Sequence, residues 1–240
     1  MKSIFSLLLV TLLLSCEYKD ISPRICYLAT EVTPTIANSY FYNENNQLVS
    51  YSSPNIYTST LTYNSAGKII SELDNGGIQI DYTYDEKNQL VLWTESIKGA
   101  SFYVLQIKFL YNDAGQDTLK QTTRYDFWSG KYYLYRIERL QYSSPKSKNY
   151  SERRTYDAAS RLLYTENYLW DNHPNPHLTN AFFTNEHPPS NNILQYTFTA
   201  AGGTPQVTNY VYTYNGNGFP LTQTIQGYTT VAYYTYTNCN

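Results

Sequence analysis

The chain has 240 residues, with 17 basic and 19 acidic side chains, three histidines and a formal net charge of −2. Because neither charge is concentrated in a patch or a block, the composition argues against nucleic-acid binding and against an acidic tail. Tyrosine is the most unusual component, with 28 residues beside nine Phe and three Trp. Aromatic and β-branched residues favour strands, and disordered chains are poor in aromatics, so this composition predicts a folded, all-β protein.

Residues 1–15 have the composition of a cleaved secretory signal peptide. Lys2 precedes an apolar run from Ile4 to Leu14, which is shorter than the about 20 apolar residues needed to span a bilayer. The segment Leu13-Leu-Ser-Cys16 resembles a bacterial lipobox. This resemblance implies that Cys16 becomes a lipidated first residue, which anchors the protein to a membrane without threading it through. The alternative is an ordinary signal peptide with an incidental cysteine.

Residues 16–25 are polar and without apolar periodicity, which predicts a flexible tether after Cys16. A second interpretation is that Lys19 and Asp20 contribute to an outer-surface sorting signal, as acidic residues do in some Gram-negative lipoproteins. Together these segments predict a lipid-anchored protein of the bacterial cell envelope, at the outer membrane. The periplasmic and the surface face both stay open.

Residues 26–240 are expected to form one domain, which is built from a repeated phrase: an aromatic pair, a turn and an aliphatic pair. The first copies are 21 residues apart (63 − 42 = 84 − 63 = 21), the length of two strands of about seven residues and two turns. Aligned on its second aromatic, the phrase occurs at Tyr42, Tyr63, Tyr84, Tyr111, Tyr156 and Tyr214, with weaker copies at Phe198 and Tyr236.

The residues after each aromatic predict a specific turn. Asn or Asp comes first, and three positions later stands a residue that tolerates positive φ, as in Asn64 and Gly67; Ser160 is the exception. This order favours a type I turn followed by a left-handed residue, which closes a hairpin with a β-bulge. We therefore predict an antiparallel meander of repeated β-hairpins in one large, curled or barrel-like sheet. The polar run at residues 143–149 is expected to be a loop.

Two cysteines besides Cys16 stand at opposite ends of the mature chain, Cys26 and Cys239. In an oxidising compartment such a pair favours a disulfide. A bridge would exclude a flat ribbon, because its Cα atoms must lie within about 7 Å while about a dozen flat strands span far more. The alternatives are two buried thiols or an intermolecular bridge, with an extended open sheet.

The phrase Tyr-x-Tyr-Asp/Asn-x-x-Gly-x-Leu is similar to the YD repeat of Rhs-type bacterial proteins. Tyr82-Thr-Tyr-Asp85 and Arg154-Thr-Tyr-Asp157 are close matches, and the resemblance covers most of residues 40–236. In large Rhs proteins such repeats form a hollow β shell around a C-terminal toxin. Here the last repeat-like strand ends at Thr237, so we expect no toxin. The chain resembles instead the short YD-like lipoproteins of Gram-negative bacteria.

Most tyrosines are expected to fill the inner face of the sheet, and a minority to lie outside and bind a ligand. Strand alternation places the adjacent Tyr132 and Tyr133 on opposite faces. The candidates for an outward binding aromatic are Trp93, Trp128, Tyr132, Tyr133 and Trp170.

A metal site is a further candidate in the irregular segment 171–192. His173 and His177 are four residues apart, but Pro174 and Pro176 exclude the helix that would place them on one face. In a loop the ligands would be Asp171, His173, His177 and His187.

The sequence contains no nucleophile elbow and no phosphate-binding loop. We expect a non-catalytic, lipid-anchored envelope protein without a cofactor, which acts by binding or scaffolding, with exposed aromatics as the candidate contacts for a glycan or an envelope protein. The alternatives are a structural shell or spacer and, third, a metal-dependent enzyme that uses the segment 171–192.

Overall fold

The computed structural model describes residues 25–53, 57–177, 189–228 and 231–239; the signal peptide and nearly all of the tether lie outside them. Each strand pairs with the next, and the last pairs with the first, so the sheet closes into a barrel. The predicted all-β meander in a barrel-like sheet is confirmed. No helix within these ranges is long and apolar enough to cross a membrane. The strands are β1 (Tyr27–Val32), β2 (Ala37–Tyr42), β3 (Leu48–Ser53), β4 (Tyr57–Tyr63), β5 (Ile69–Asp74), β6 (Ile78–Tyr84), β7 (Leu90–Ile97), β8 (Leu105–Tyr111), β9 (Asp117–Asp126), β10 (Lys131–Tyr142), β11 (Tyr150–Asp157), β12 (Leu162–Pro174), β13 (Asn191–Ala200), β14 (Gln206–Tyr214), β15 (Pro220–Ile225) and β16 (Val231–Thr237).

The predicted hairpin turns have a common set of hydrogen bonds. At Asn64, the side-chain Oδ1 accepts the backbone N–H of Lys68 (2.9 Å) and the carbonyl accepts the N–H of Gly67 (3.0 Å). Gly67 has φ +74°, and Ser160, the exception in sequence, adopts the same conformation at φ 62°. A register shift follows each turn, as expected of a bulge. The equivalent turns begin at Asn43, Asp85, Asn112, Asp157 and Asn215.

The barrel has two distinct ends. We call proximal the end that carries Cys26 and the turn at Asn43, and distal the end that carries residues 98–104 and 127–130. The loop at residues 143–149 is a proximal connection between β10 and β11 that is not one of the Asn/Asp turns. The next Asn/Asp turn therefore falls at the opposite end of the barrel from the earlier ones. The turn at Asp157 is therefore distal, and Tyr156 lies on the outer wall, with the Arg139 guanidinium 5.8 Å from its ring centre.

A ring of aromatic side chains joins neighbouring strands near the proximal end. The Tyr84 hydroxyl of β6 donates to the Ile69 carbonyl at the start of β5, at 2.8 Å. Trp170 takes the same role in β12, with its Nε1–H donating to the Tyr150 carbonyl at 2.7 Å. These bonds, which we call tyrosine clamps, tie each repeat to the one before it. The other clamps run from Tyr42 to Leu28, Tyr63 to Leu48, Tyr111 to Leu90, Tyr212 to Ile193 and Tyr236 to Pro220, at 2.5 to 3.0 Å.

Removal of one clamp hydroxyl should cost stability without changing the fold. We expect Tyr84→Phe to lower the free energy of unfolding by about 1 kcal/mol, because the Ile69 carbonyl loses its side-chain donor. Tyr133→Phe is the matched control, because its ring is 47% exposed and lies outside the clamp ring. Urea unfolding followed by tryptophan fluorescence measures both. Equal losses in the two variants would contradict a role of the clamps in stability.

The outer wall of the barrel is largely polar along β4–β9. In β4, Ser59 and Leu61 are buried, whereas Thr58, Thr60 and Thr62 are exposed. Residues that pair directly across neighbouring strands lie on the same face of the sheet, and the next residue along each strand lies on the other face. The residues paired beside Trp93 are on the inner face, so the adjacent set of paired residues is on the outer face: Thr83, Leu92, Lys108 and Gln121.

The inside of the barrel holds aromatic clusters together with charged groups that have partners. Glu72, 5% exposed, accepts the hydroxyls of Tyr51 (2.6 Å) and Tyr82 (3.2 Å). On the opposite side the Arg153 guanidinium donates to both oxygens of Glu166, at 2.5 and 3.0 Å. Buried charges are tolerated when they are paired in this way, so the lumen combines aromatic packing with paired charges.

The seam of the barrel joins β1 to β16, the pair most distant in sequence. Cys26 and Cys239 form a disulfide across it, with their Cα atoms 4.2 Å apart. The Thr30 and Thr235 hydroxyls, 2.7 Å apart, form a second link between the same strands. The bridge lies at the proximal end, so the two chain ends leave the barrel there.

Candidate functional site

The most exposed aromatic group of the described residues lies at the distal end. Phe102 and Tyr125 stack with ring centres 4.7 Å apart, and Phe127 contacts both edge-to-face at 5.7 and 5.4 Å. Tyr132 packs edge-to-face on Tyr125 at 5.1 Å. With Trp128, which is 99% exposed, these side chains form what we call the distal aromatic cluster.

The turn between β9 and β10 explains why Trp128 projects into solvent. Asp126 Oδ1 accepts the backbone N–H of Trp128 (3.0 Å), and Oδ2 accepts the Ser129 hydroxyl (2.6 Å). Gly130, at φ +66°, donates its N–H to the Asp126 carbonyl at 2.8 Å. The Ser129 hydroxyl and the Trp128 N–H hold the pKa of Asp126 below its usual value, so the turn carries a negative charge beside the indole.

Tyr132 and Tyr133, adjacent in β10, have different surroundings. The Tyr132 hydroxyl accepts the backbone N–H of Tyr103 at 2.9 Å, which fixes the segment 98–104 against the cluster. Tyr133 pairs with Arg124, on the lumen face, and is 47% exposed at the distal rim. The two rings therefore face opposite sides of the sheet, and only Tyr132 belongs to the distal aromatic cluster.

The other two tryptophans named from the sequence are not part of this surface. Trp93 is 4% exposed and packs in the core with Tyr82, Ile107 and Phe109. Trp170 is half-buried, stacks on Tyr168 and forms a clamp. Neither ring is presented to a ligand, because strand alternation after a bulge turns both of them inward.

The residues proposed as metal ligands have other partners. Asp171 Oδ2 accepts the hydroxyl of Tyr214 (2.5 Å) and the amide of Asn192 (2.9 Å). His173, which lies in β12 and not in a loop, stacks on Tyr214 at 3.9 Å. His177 reaches across the barrel to within 3.7 Å of the Glu31 carboxylate. His187 lies outside the described residues, and no group of metal-binding side chains occurs among the rest.

A second surface feature is a groove of about 810 Å³ on the outer wall beneath the loop 143–149. Its lining includes Arg139, Arg154, Pro145 and Tyr156. Arg154 is held by an ion pair with Glu152 at 2.8 Å. This groove is more polar than the distal aromatic cluster and was not indicated by any motif.

No protein-family model matches the chain, and no curated protein does. Among solved structures, a porin-like protein from Bacteroides uniformis is 16% identical at a TM-score of 0.60, covering 90% of this chain and 98% of that chain. A porin-like protein from Bacteroides vulgatus is 9% identical at a TM-score of 0.61, covering 89% and 99%. A TcdB2-TccC3-Cdc42 structure matches at a TM-score of 0.30 and 14% identity, over 80% of this chain and 12% of that chain. The two Bacteroides proteins share the fold of this chain.

Proposed function

We propose that this protein is a non-catalytic β-barrel lipoprotein of the bacterial outer membrane, built from YD-like repeats, that binds glycans through the distal aromatic cluster. The observation that carries the proposal is the exposure of Trp128, at 99%, on a turn braced by Asp126. A large apolar ring held in water by a rigid turn contributes to binding and has no role in the core.

The largely polar outer wall along β4–β9 supports a position beside the bilayer and not within it, although exposed apolar side chains such as Leu169, Val207 and Val211 lie on other strands. A membrane-spanning barrel presents an apolar band about 25 Å tall to the lipid. Here the outward side chains of β4 are Thr58, Thr60 and Thr62, and Lys108 projects from β8. In addition, the lumen is occupied by paired charges such as Arg153 and Glu166. The protein shares the fold of the two porin-like proteins, and the polar strands β4–β9 and the charged lumen support a role other than that of a membrane pore.

The anchor and the binding surface are at opposite ends in this proposal. Cys26 is at the proximal end, and the expected lipidated residue, Cys16, precedes it by ten positions (26 − 16 = 10). In this proposal residues 16–25 connect the proximal end to the membrane. The distal aromatic cluster then points away from the membrane, where a polysaccharide of the envelope or of the surroundings can reach it.

The chemistry of the cluster suits a saccharide. A sugar ring has an apolar C–H face and a polar hydroxyl edge, so it can stack on an indole while its hydroxyls bond to a neighbouring carboxylate. Trp128 supplies the exposed ring and Asp126 the charged acceptor. Rigid aromatic side chains bind at low cost in conformational entropy. The ligand class is therefore a neutral or amino sugar.

We expect Trp128→Ala to weaken glycan binding by about tenfold or more, because Trp is enriched among the residues that dominate binding energy. Tyr228→Ala is the matched control: Tyr228 is 68% exposed on another distal turn. A glycan array with a multimerised fragment of residues 17–240 identifies the ligand, and titration of that glycan gives the affinities. The proposal fails if wild type retains no glycan, or if both variants bind as wild type does; either result favours a spacer.

A further inference from the structure

A second candidate binding site lies inside the barrel, away from the distal aromatic cluster. A cavity of about 190 Å³ is lined by four cationic side chains, Lys120, Arg124, Arg136 and Arg153, and by one carboxylate, Glu138. These residues come from β9, β10 and β11, three neighbouring strands. Such a concentration of positive charge within one cavity is unusual in a protein whose net charge is −2.

The cations form a descending path from the distal rim into the lumen. Arg124 pairs with Tyr133 at the rim and is exposed, Arg136 pairs with Thr122 at the next level, and Lys120 is 2% exposed at the level below. Alternate residues on a strand are about 7 Å apart, so these charges are spaced along the wall. Low-dielectric walls concentrate the field of such a path and attract anions.

The side chains that line the cavity are predominantly cationic, with four cations and one carboxylate, Glu138. Asp117 lies 3.6 Å from Lys120 Nζ, Glu138 lies 3.4 Å from Arg136 Nε, and Glu166 accepts from Nε and Nη2 of Arg153. Arg124 is the exposed member of this group. Its guanidinium lies 4.0 Å from the ring of Tyr135 and interacts electrostatically with Glu95.

One buried hydrogen-bond donor that lines the cavity, on Arg136, lacks an acceptor. The Nε of Arg136 is inaccessible to solvent and makes no hydrogen bond, although Glu138 is near. A buried N–H without an acceptor is costly, and an anion in the cavity would supply one. The Thr122 hydroxyl, which also lines the cavity, offers a neutral donor beside it.

We propose that this cavity binds a small oxyanion, a carboxylate, sulfate or phosphate group, with Arg124 and Arg136 as the principal donors. Planar guanidinium groups recognise such oxyanions through paired hydrogen bonds. The cavity has room for one such group and a few further atoms, and not for a polymer chain. The group is either a free inorganic anion or the acidic end of a small organic molecule. This proposal is independent of glycan binding at Trp128.

Thermal unfolding with sodium sulfate, against sodium chloride at equal ionic strength, tests the site in the fragment of residues 17–240. Ligand binding to the native state raises Tm, so sulfate should raise it more than chloride does. Arg124→Gln should fold normally, because its side chain is exposed, and should weaken the apparent sulfate affinity by about tenfold. Lys108→Gln, which removes a positive charge from the outer wall, should leave that affinity unchanged. Arg136→Gln is a second test at the buried donor.

The two sources of the anion are separated by repeating the titration with phosphate and with glucuronate. A larger shift with glucuronate indicates an organic acid, and a larger shift with phosphate an inorganic anion. Equal sulfate shifts in wild type, Arg124→Gln and Lys108→Gln would show a general salt effect and would overturn the proposal. So would the absence of any shift beyond that of chloride.

Discussion

Replacing both Cys26 and Cys239 by serine is expected to lower the free energy of unfolding by about 5 kcal/mol. The reason is the length of the loop that the disulfide closes, since the two cysteines are 213 positions apart in sequence and the entropy removed from the unfolded chain grows with loop length. All other strand pairs are hairpins between consecutive strands. The seam is the one pairing of the described strands that must be made across the entire domain.

Urea unfolding of the double variant, followed by tryptophan fluorescence and by circular dichroism, measures this loss. Hydrogen exchange should show faster exchange in β1 and β16 than in β7 and β8, because the seam opens first when the bridge is gone. Wild type under reducing conditions is the matched comparison. An unchanged urea midpoint would mean that the strand ladder of β1 and β16 closes the barrel without help from the bridge.

The barrel is also expected to unfold sharply between about pH 11 and 12, because its inner tyrosines must stay protonated. Burial, first of all, raises the pKa of Tyr40, Tyr82 and Tyr234 well above that of a free phenol, and nearby carboxylates raise it further. Burial raises the pKa of Tyr63 to about 12. The other inner tyrosines with a raised pKa are Tyr51, Tyr84, Tyr111, Tyr196, Tyr210, Tyr212, Tyr214 and Tyr236.

The sign of the effect follows from linkage. A phenol whose pKa is higher in the folded than in the unfolded chain contributes stability that is fully present below about pH 10 and is lost as the pH rises further. For the three buried rings Tyr40, Tyr82 and Tyr234, the loss is about 1.4 kcal/mol each per pH unit, or about 4 kcal/mol together. Two units of pH therefore remove stability of the order that a whole domain possesses.

Phenolate absorbance and far-ultraviolet circular dichroism, recorded over one alkaline titration, test this expectation. The inner phenols should ionise together with the loss of β signal, in a step separate from ionisation near pH 10. Tyr82→Phe should move the unfolding step to higher pH, because one ionisable ring is gone. If all phenols ionise near pH 10 while the circular dichroism persists, the inner rings are not buried as described.

The local turns of this protein could be predicted from the sequence because their signals are local. Asn64 and Gly67 specify a turn through their own side chain and backbone, and no distant residue is needed. Even Ser160 adopts the left-handed conformation, since the Asp157 side chain bonds to the backbone around it. The curled sheet could be predicted for a different reason, namely the limit on the width of open sheets.

The facing of individual side chains could not be predicted in the same way. Every bulge adds one residue to a strand and thereby exchanges the inward and outward positions that follow it. Counting alternate residues along the sequence therefore assigns the wrong face after a bulge. Trp93 was expected outside and lies in the core for this reason. The extra corner at residues 143–149 similarly carried the Asp157 turn to the distal end.

The charges inside the barrel left no signal in the sequence. Glu72 is separated by many residues from Tyr51, which donates to it, and Arg153 and Glu166 are opposed in the neighbouring strands β11 and β12. Such pairs depend on the register of closed strands, which is a property of the whole barrel. The distal aromatic cluster was indicated in part: Trp128 and Tyr132 were named from the sequence, whereas Phe102 joins them through the segment 98–104.

We expect this closed barrel to stand in water beside the membrane and to need lipid only at its proposed anchor. Flotation of the fragment of residues 17–240 with phosphatidylethanolamine–phosphatidylglycerol vesicles, after purification without detergent, tests it most directly. We predict a folded, β-rich protein that stays in solution, does not float with the vesicles and is unchanged by detergent micelles. Precipitation without detergent, or flotation with the vesicles in the absence of Cys16, would contradict the account.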